Sequence, residues 1–318
     1  MSPLEFGWFL PTSGDTTSFA KPNQVLASAE MFERVTLAAE RAGFEYMLVP
    51  VQTACWEAWI ASAMMVARSS NIKMLIAGAS DTEAAAEGIP YGKEERYDVM
   101  DEEVTILKSL WTAKGKIDFD GRYYQLKQAQ ILPPIRQPSY PKIYLGGGSQ
   151  RAWEISAKHA DVHLFWGDTP QRIEAQILEI RKMAEQCDRR SEIGFGMRLQ
   201  MICRENEEDA WDAARSLVAG ASDAHKAMVK NLFEVSVANQ RMQELSKIED
   251  GMLGPNLWSG ITQVRPGAGV AVVGNPQQCA ATLQQFIDVG CHSFCLSGYL
   301  HDTEAERFGR LVRPLLVN

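Results

Sequence analysis

Two periodicities alternate along the chain. Short, almost continuously apolar runs occur at 5–11 (EFGWFLP), 46–51 (YMLVPV), 72–78 (IKMLIAG) and 142–148 (KIYLGGG). Others follow at 161–167 (DVHLFWG), 193–203 (IGFGMRLQMIC), 270–274 (VAVVG) and 293–299 (SFCLSGY). Their length and continuity are those of strands buried on both faces. Between them the apolar spacing changes to three and four. Residues 28–43 place Phe32, Val35, Ala39 and Ala42 on one face and stop at Gly43, a helix C-terminus. Residues 97–111 do the same with Met100, Val104, Leu107 and Trp111. Residues 168–184 carry Ile173, Ile177, Ile180 and Ala184 behind a capping Asp168 or Thr169 and a first-turn Pro170. Residues 58–70 form a largely apolar helix, and two more helices are predicted between and after the last two strands. A hairpin over 116–126 turns at Asp120 and Gly121.

Strand–helix alternation over this length predicts a parallel sheet. Many short, continuously apolar strands favour a TIM (β/α)8-type barrel over an open sheet, as one α/β domain spanning 1–318. Residues 218–256 are polar and break the rhythm, which predicts an insertion or a lid. A length of 318 residues is normal for such a barrel, and 46% hydrophobic with 23% charged residues is an ordinary globular composition. The net charge of −8 argues against a broad nucleic-acid-binding surface. No run of about 18 apolar residues spans a membrane, and the N-terminus lacks the basic start of a signal peptide. Those features predict a cytoplasmic protein. Cysteines stand at 55, 187, 203, 279, 291 and 295. Only Cys291 and Cys295 are close in sequence, with no second pair to complete a zinc site, so no metal is expected and five of the six are read as small core residues.

In a barrel of this kind the chemistry sits where the strands end. Those ends bring Cys55, Trp166, Tyr299 and His301, and the long strand carries Arg198 and Gln200 two apart on one face. Arg265 lies in a turn, QVRPGAG. Two arginines, a tyrosine, a histidine and a tryptophan at one mouth suggest an anion pocket, because guanidinium forks match oxyanions. The second signal is the glycine run Gly146-Gly147-Gly148-Ser149, between a strand and a helix start. Bare backbone there suits either tight packing or a phosphate held on helix N–H groups.

The motifs FLPTSGD, TACWEAW, YLGGGSQ, FWGDTP, FGMRLQMICRE, NLWSGITQVRPGAG and SFCLSGYLH, in that order, resemble the flavin-dependent monooxygenases of the bacterial-luciferase superfamily. The nearest branch is that of the FMNH2-dependent alkanesulfonate monooxygenases. The resemblance covers nearly the whole chain. It implies a TIM barrel that receives FMN as FMNH2 from a separate NAD(P)H-dependent FMN reductase. With O2 it would cleave the C–S bond of an organosulfonate to an aldehyde and sulfite, working as a homodimer or homotetramer. The family's sulfonate-site arginines fall on Arg198 and Arg265. Its tyrosine falls on Tyr299 and its cysteine on Cys55, and Trp166 and His301 match too. The phosphate-site serine falls on Ser149, beside Gly147 and Gly148, with Tyr97 as a further phosphate ligand.

Three positions depart from the family pattern. Ser13, Gln200 and Lys93 replace histidines. Lys93 can still serve the FMN phosphate, whereas Ser13 and Gln200 lose an imidazole and leave neutral hydrogen bonds. That favours a hydroxyl-bearing substrate such as the sugar sulfonate sulfoquinovose beside simple alkanesulfonates. A sulfone monooxygenase, a deazaflavin (F420) enzyme and a non-catalytic flavin-binding relative remain alternatives. The family also has one more βα unit, roughly 35–40 residues, where Ala77 meets Gly78. Two readings stay open. If the unit is present in the molecule but skipped in the sequence, Ala77 and Gly78 should stand farther apart than the ~3.8 Å of a trans peptide. If the molecule lacks it, the barrel must re-pair or expose two strand edges.

Overall fold

The computed structural model describes residues 3–78, 88–136, 139–232 and 237–316. The first half of the chain runs β1 (Glu5–Phe9), α1 (Ala29–Arg41), β2 (Tyr46–Val51), α2 (Ala58–Val66), β3 (Lys73–Gly78), α3 (Lys93–Thr112), β4 (Ile117–Asp120), β5 (Gln125–Ala129), β6 (Tyr144–Gly146) and α4 (Gln150–His159). The second half runs β7 (Val162–Trp166), α5 (Pro170–Glu185), β8 (Gly194–Cys203), α6 (Glu207–Val218), α7 (Asp223–Leu232), α8 (Val237–Ser246), β9 (Met252–Gly254), β10 (Leu257–Trp258), β11 (Ala271–Gly274), α9 (Pro276–Asp288), β12 (Ser293–Ser297) and α10 (His301–Leu311).

Seven parallel strands follow one another in the order β3-β2-β1-β12-β8-β7-β6, with helices on the outside. β11 extends the far end of β8, and the short antiparallel β10 and β9 follow it. This is the strand course of a (β/α)8-type barrel without one βα unit. Among the described residues no pairing joins β3 to β6. The separation expected between Ala77 and Gly78 is not found. β3 runs unbroken through both, in register with Pro50 and Val51 of β2. The acidic stretch that follows, residues 79–87, lies outside the described residues.

Register sorts the barrel interior into layers. Glu5, Gly7 and Phe9 of β1 stand beside Ser293, Cys295 and then Ser297 of β12, which stand beside Gly196, Arg198 and Gln200 of β8. Trp166 closes β7 at the level of Arg198. The lowest layer is polar. Glu5 accepts from Tyr144, from Lys142 at 3.1 Å and from Ser293 at 3.3 Å. The middle layer sets Arg198 among apolar side chains: Tyr46 and Cys295 are buried with Leu48 against Leu75, Tyr144 and Leu164. Glycine makes the room: a Cβ on Gly7 would stand 2.0 Å from the Tyr46 ring. The upper layer holds Phe9, Ser297 and Gln200. Outside the strands, Trp8, Phe32, Phe195, Phe286, Phe294 and Phe308 form the main core between sheet and helices.

Most helices obey their sequence signals. Ser28 caps α1 by accepting from Met31 N at 3.2 Å, and Asn275 and Gln278 cap α9 reciprocally. All four residues expected to face inward from α5 are buried. α3 departs from expectation. It starts a turn earlier, at Lys93, and buries Val99, Val104 and Ile106, whereas Leu107 is 40% exposed. Its other face holds the β4–β5 hairpin through Glu102, whose carboxylate accepts from the N–H groups of Arg122, Tyr123 and Tyr124. Cys203, Cys279, Cys291 and Cys295 are buried as expected, but Cys187, just past α5, is exposed. No helix among the described residues is long and apolar enough to cross a membrane.

Candidate active site

Arg198 stands level with Cys295 and Trp166, directly below Ser297 and Gln200. It is 5% exposed, and its Nη1 donates to Ser297 Oγ at 3.0 Å and to the carbonyls of Leu199 and Cys295 at 3.1 and 3.4 Å. Among the described residues no carboxylate pairs with it. Ser297 Oγ in turn donates to Gln200 Oε1 at 2.5 Å, and Gln200 Nε2 donates to Ala268 O at 2.8 Å. Gln200 therefore holds Ser297, and through it the guanidinium, while one Nε2 proton has no acceptor among the described residues. Arg265 Nη1 donates to the same Ala268 carbonyl at 3.3 Å. Both cations lie over the Phe9 ring, whose centre is 4.8 Å from Arg198 Cζ and 6.0 Å from Arg265 Cζ. Burial, and after it the charge of Arg265, pulls the Arg198 guanidinium below its usual value.

Tyr299 and His301 complete this cluster. Their rings meet edge to face at 5.1 Å, and Phe19 meets the other side of Tyr299 at 5.0 Å. Burial raises the Tyr299 phenol above its usual value, against the lowering pull of Arg265 and Arg198. His301 opens α10 and is 2% exposed. Its Nδ1 lies 2.9 Å from Asp15 Oδ1, and its backbone N–H donates to Asp15 Oδ2 at 2.7 Å. Burial would raise the Asp15 carboxyl, but the charge and hydrogen bonds of His301 outweigh it and hold the carboxyl below its ordinary range.

A second cluster forms where β6 ends, one strand over from Trp166. Gly147 has φ +124°, and a Cβ there would come 2.7 Å from the Ala152 side chain, so glycine is required on both counts. Ser149 caps α4 by accepting from Ala152 N at 3.2 Å, and Tyr97 reaches its Oγ at 3.4 Å from α3. Among the described residues no hydrogen bond uses the N–H groups of Gly148, Ser149, Gln150 or Arg151. These donors, the helix dipole and two hydroxyls form a cradle of the kind that fits a phosphate. Lys93 lies one turn before Tyr97 on α3, with no partner among the described residues.

The polar segment expected as an insertion contains two helices that sit over these clusters. The start of α8 lies on the glycine turn: a Cβ on Gly148 would stand 3.3 Å from Val237 and 3.4 Å from Ala238 N. Arg241 of α8 forks onto buried Asp168, at 2.7 and 2.9 Å. Asp168 thereby serves as an ion-pair partner, and Thr169 occupies the cap position without a side-chain bond. On α7, His225 Nε2 donates to Val264 O at 2.7 Å, one residue before Arg265.

The structure thus brings Arg198, Gln200, Arg265, Tyr299 and His301 together, with Trp166 beside Arg198 in the sheet. It brings Gly147, Gly148, Ser149 and Tyr97 together separately. Cys55 stands apart in the turn after β2, where its thiol donates to Gln52 at 3.7 Å; no contact among the described residues joins it to the arginines. Phe9, Ser297 and Asp15 were missed. Strict alternation along β1 and β12 assigns the first two to the inner face. Asp15 had no local signal, because its partner is 286 residues away.

A family model described as luciferase-like monooxygenase matches residues 74–293. Similar folds occur in the long-chain alkane monooxygenase LadA, with TM-score 0.76 and 16% identity over 99% of this chain and 91% of that one. Riboflavin lyase RcaE, solved with modified FMN and riboflavin, gives 0.75 and 15% over 99% and 91%. An F420-dependent secondary alcohol dehydrogenase gives 0.68 and 12% over all of both chains. At such identities these structures share the fold alone.

Proposed function

Because the chain belongs to the luciferase-like monooxygenase family, we propose that it is a two-component monooxygenase that uses FMNH2 and O2 to cleave the C–S bond of an organosulfonate, releasing an aldehyde and sulfite. A separate NAD(P)H-dependent reductase would supply the reduced flavin. The observation that carries this reading is Arg198: a buried guanidinium with no carboxylate partner among the described residues, sharing the Phe9 ring with Arg265. An uncompensated buried cation costs several kcal/mol, and a permanently anionic substrate group with several acceptor oxygens removes that cost. A sulfonate is such a group.

Bound reduced FMN would supply the activation of oxygen. The residues of this chain do the rest. Gly147, Gly148, Ser149 and Tyr97, with Lys93 one turn away, would hold the FMN phosphate. Arg198 and Arg265 would hold the sulfonate and oppose negative charge as it develops. Ser297 and Gln200 keep the Arg198 fork in place, and Trp166, Tyr299 and His301 line the same mouth. α7 and α8 would act as the lid that excludes water. The second Nε2 proton of Gln200 and the exposed Ser13 support a sugar sulfonate such as sulfoquinovose beside alkanesulfonates.

One observation favours a second reading. Among the described residues the sheet ends at β3 and β6 without a pairing between them, which suits a flavin-binding relative that does not turn over. A sulfite-release assay with an FMN reductase, run across alkyl and sugar sulfonates, decides between them. Sulfite from one class supports the main reading. FMN binding without sulfite from any sulfonate supports the second, and tight F420 binding with none to FMN defeats both.

A further inference from the structure

Asp15 and His301 form a buried pair whose geometry exceeds what a helix cap requires. Both carboxylate oxygens of Asp15 are committed: Oδ2 accepts from His301 N at 2.7 Å, and Oδ1 accepts from Thr16 N at 2.8 Å and faces His301 Nδ1 at 2.9 Å. One oxygen would suffice to cap α10. The second sets the imidazole, because a nitrogen facing a carboxylate carries its proton there. His301 Nε2 is then the free end of the ring, and among the described residues it makes no hydrogen bond. The ring cannot turn easily. Trp8, Phe9 and Tyr299 surround it at 6.2, 5.9 and 5.1 Å, and Trp8 Nε1 donates to the His301 carbonyl at 3.0 Å.

The charged and titratable groups around the imidazole come from several elements. Asp15 faces it from the segment after β1, and Tyr299 from the end of β12. Arg198 on β8 and Arg265 in the turn before β11 act on Tyr299. On α10 itself, Asp302 pairs with Arg34, Glu304 with Arg204 and Arg307, and Glu306 with Arg41, so all three acids on that helix are already engaged. Asp15 is therefore the only carboxylate among the described residues bonded to the ring.

We propose that Asp15 is a positioning residue that fixes the tautomer of His301, so that Nε2 hands a proton to Tyr299 each time Tyr299 has given its own to an oxygen gaining negative charge in the arginine pocket. The proton count closes. The phenol O–H breaks as the bond to the reacting oxygen forms, the imidazolium Nε2–H breaks as the phenol is restored, and solvent reprotonates the imidazole. No electrons move in these steps. Asp15 matters because it stabilises the imidazolium that must exist before the transfer. The inference rests on the monooxygenase reading for its reaction, but not for its geometry.

Asp15→Asn tests it. The amide keeps an acceptor for the helix N–H but removes the charge. Expected are a fall in kcat of about tenfold or more, little change in KM, and a changed pH–kcat profile. Asp15→Glu should restore part of the rate. An unchanged profile in Asp15→Asn, with only a lower Tm, would reduce Asp15 to a helix cap and overturn the proposal. A second measurement needs no turnover. Among the five histidines, 15N spectra should show His301 in a single Nδ1–H tautomer in the wild-type protein and mixed in Asp15→Asn. The same tautomer in both proteins refutes the dyad. If the wild type releases no sulfite while the spectra behave as expected, the substrate reading fails and the dyad stands.

Discussion

Arg198 separates a functional residue from a structural one by the sign of its effect on stability. A guanidinium that holds the fold together loses stability when removed. Arg198 is buried, has no carboxylate partner among the described residues and is pulled below its usual value by burial and by Arg265, so replacement by a well-packed apolar side chain should be neutral or stabilising. Arg198→Met is expected to leave Tm unchanged or raised while kcat/KM for the sulfonate falls by about 2–4 kcal/mol of transition-state stabilisation. A lower Tm with kcat/KM intact would assign Arg198 to the core. His163 shows the opposite case. It is fully buried on the outer side of β7, bonded through Nδ1 to Ser156 Oγ at 2.7 Å, with Nε2 unpaired. Burial pushes its imidazole down from 6.5 to about 3. Between those two values the unfolded chain carries the proton and the folded chain does not. Stability contributed by His163 is thus present above 6.5 and is lost as pH falls toward 3, by at most about 1.4 kcal/mol per unit. The Tm of His163→Asn should therefore drop less between pH 7 and pH 5 than that of the wild type. Equal drops in the two proteins would contradict the shift.

At the scale of single elements, what the sequence declares is whatever a few neighbouring residues decide. Ser28, Pro170, Gly43 and the inward stripe of α5 could be read directly, because caps and helical spacing are local physics. Asp168 could not: its fate depends on Arg241, 73 residues on, and an ion pair with a buried carboxylate outcompetes a cap. The early start of α3 was hidden for a related reason. Lys93 to Arg96 form a polar first turn with no apolar position to mark it, yet that turn sets Lys93 and Tyr97 four apart on one face. The glycine run was legible as a turn but ambiguous in purpose. Its geometry now supports both packing, through the contact of Gly147 with Ala152, and anion binding, through unused N–H groups. The two uses are compatible and can be separated by ligand. FMN should bind more tightly than riboflavin, which lacks the phosphate, and Ser149→Ala should narrow that difference. Equal affinities for FMN and riboflavin would leave packing as the sole reason for the glycines.

At the scale of the whole molecule, alternating patterns announced the strand–helix order but not where the sheet begins and ends. Strand order is a long-range property: the family resemblance already points to the missing unit, but only the structure shows that, among the described residues, β3 and β6 stand at edges without pairing each other. An uncovered flank next to such an edge is a liability unless another surface meets it. α2, which leads into β3, presents Trp59, Ile60 and Val66 at 71%, 61% and 57% exposure, with no charged residue between Ala58 and Val66. A molecule of net charge −8 repels its own copies except where charge is absent. The homodimer or homotetramer implied by family resemblance therefore has in α2 a neutral, apolar stripe on which a second copy can pack without burying unpaired charge. Trp59→Glu places a carboxylate in the middle of that contact, where desolvation would oppose association, and leaves the core untouched because the side chain points outward. Sedimentation of the purified protein is expected to give a multiple of the 35.4 kDa chain mass for the wild type and a shift toward the single-chain mass for the variant, with Tm little changed. A wild-type monomer, or a variant that sediments as the wild type does, would remove α2 as the contact between copies.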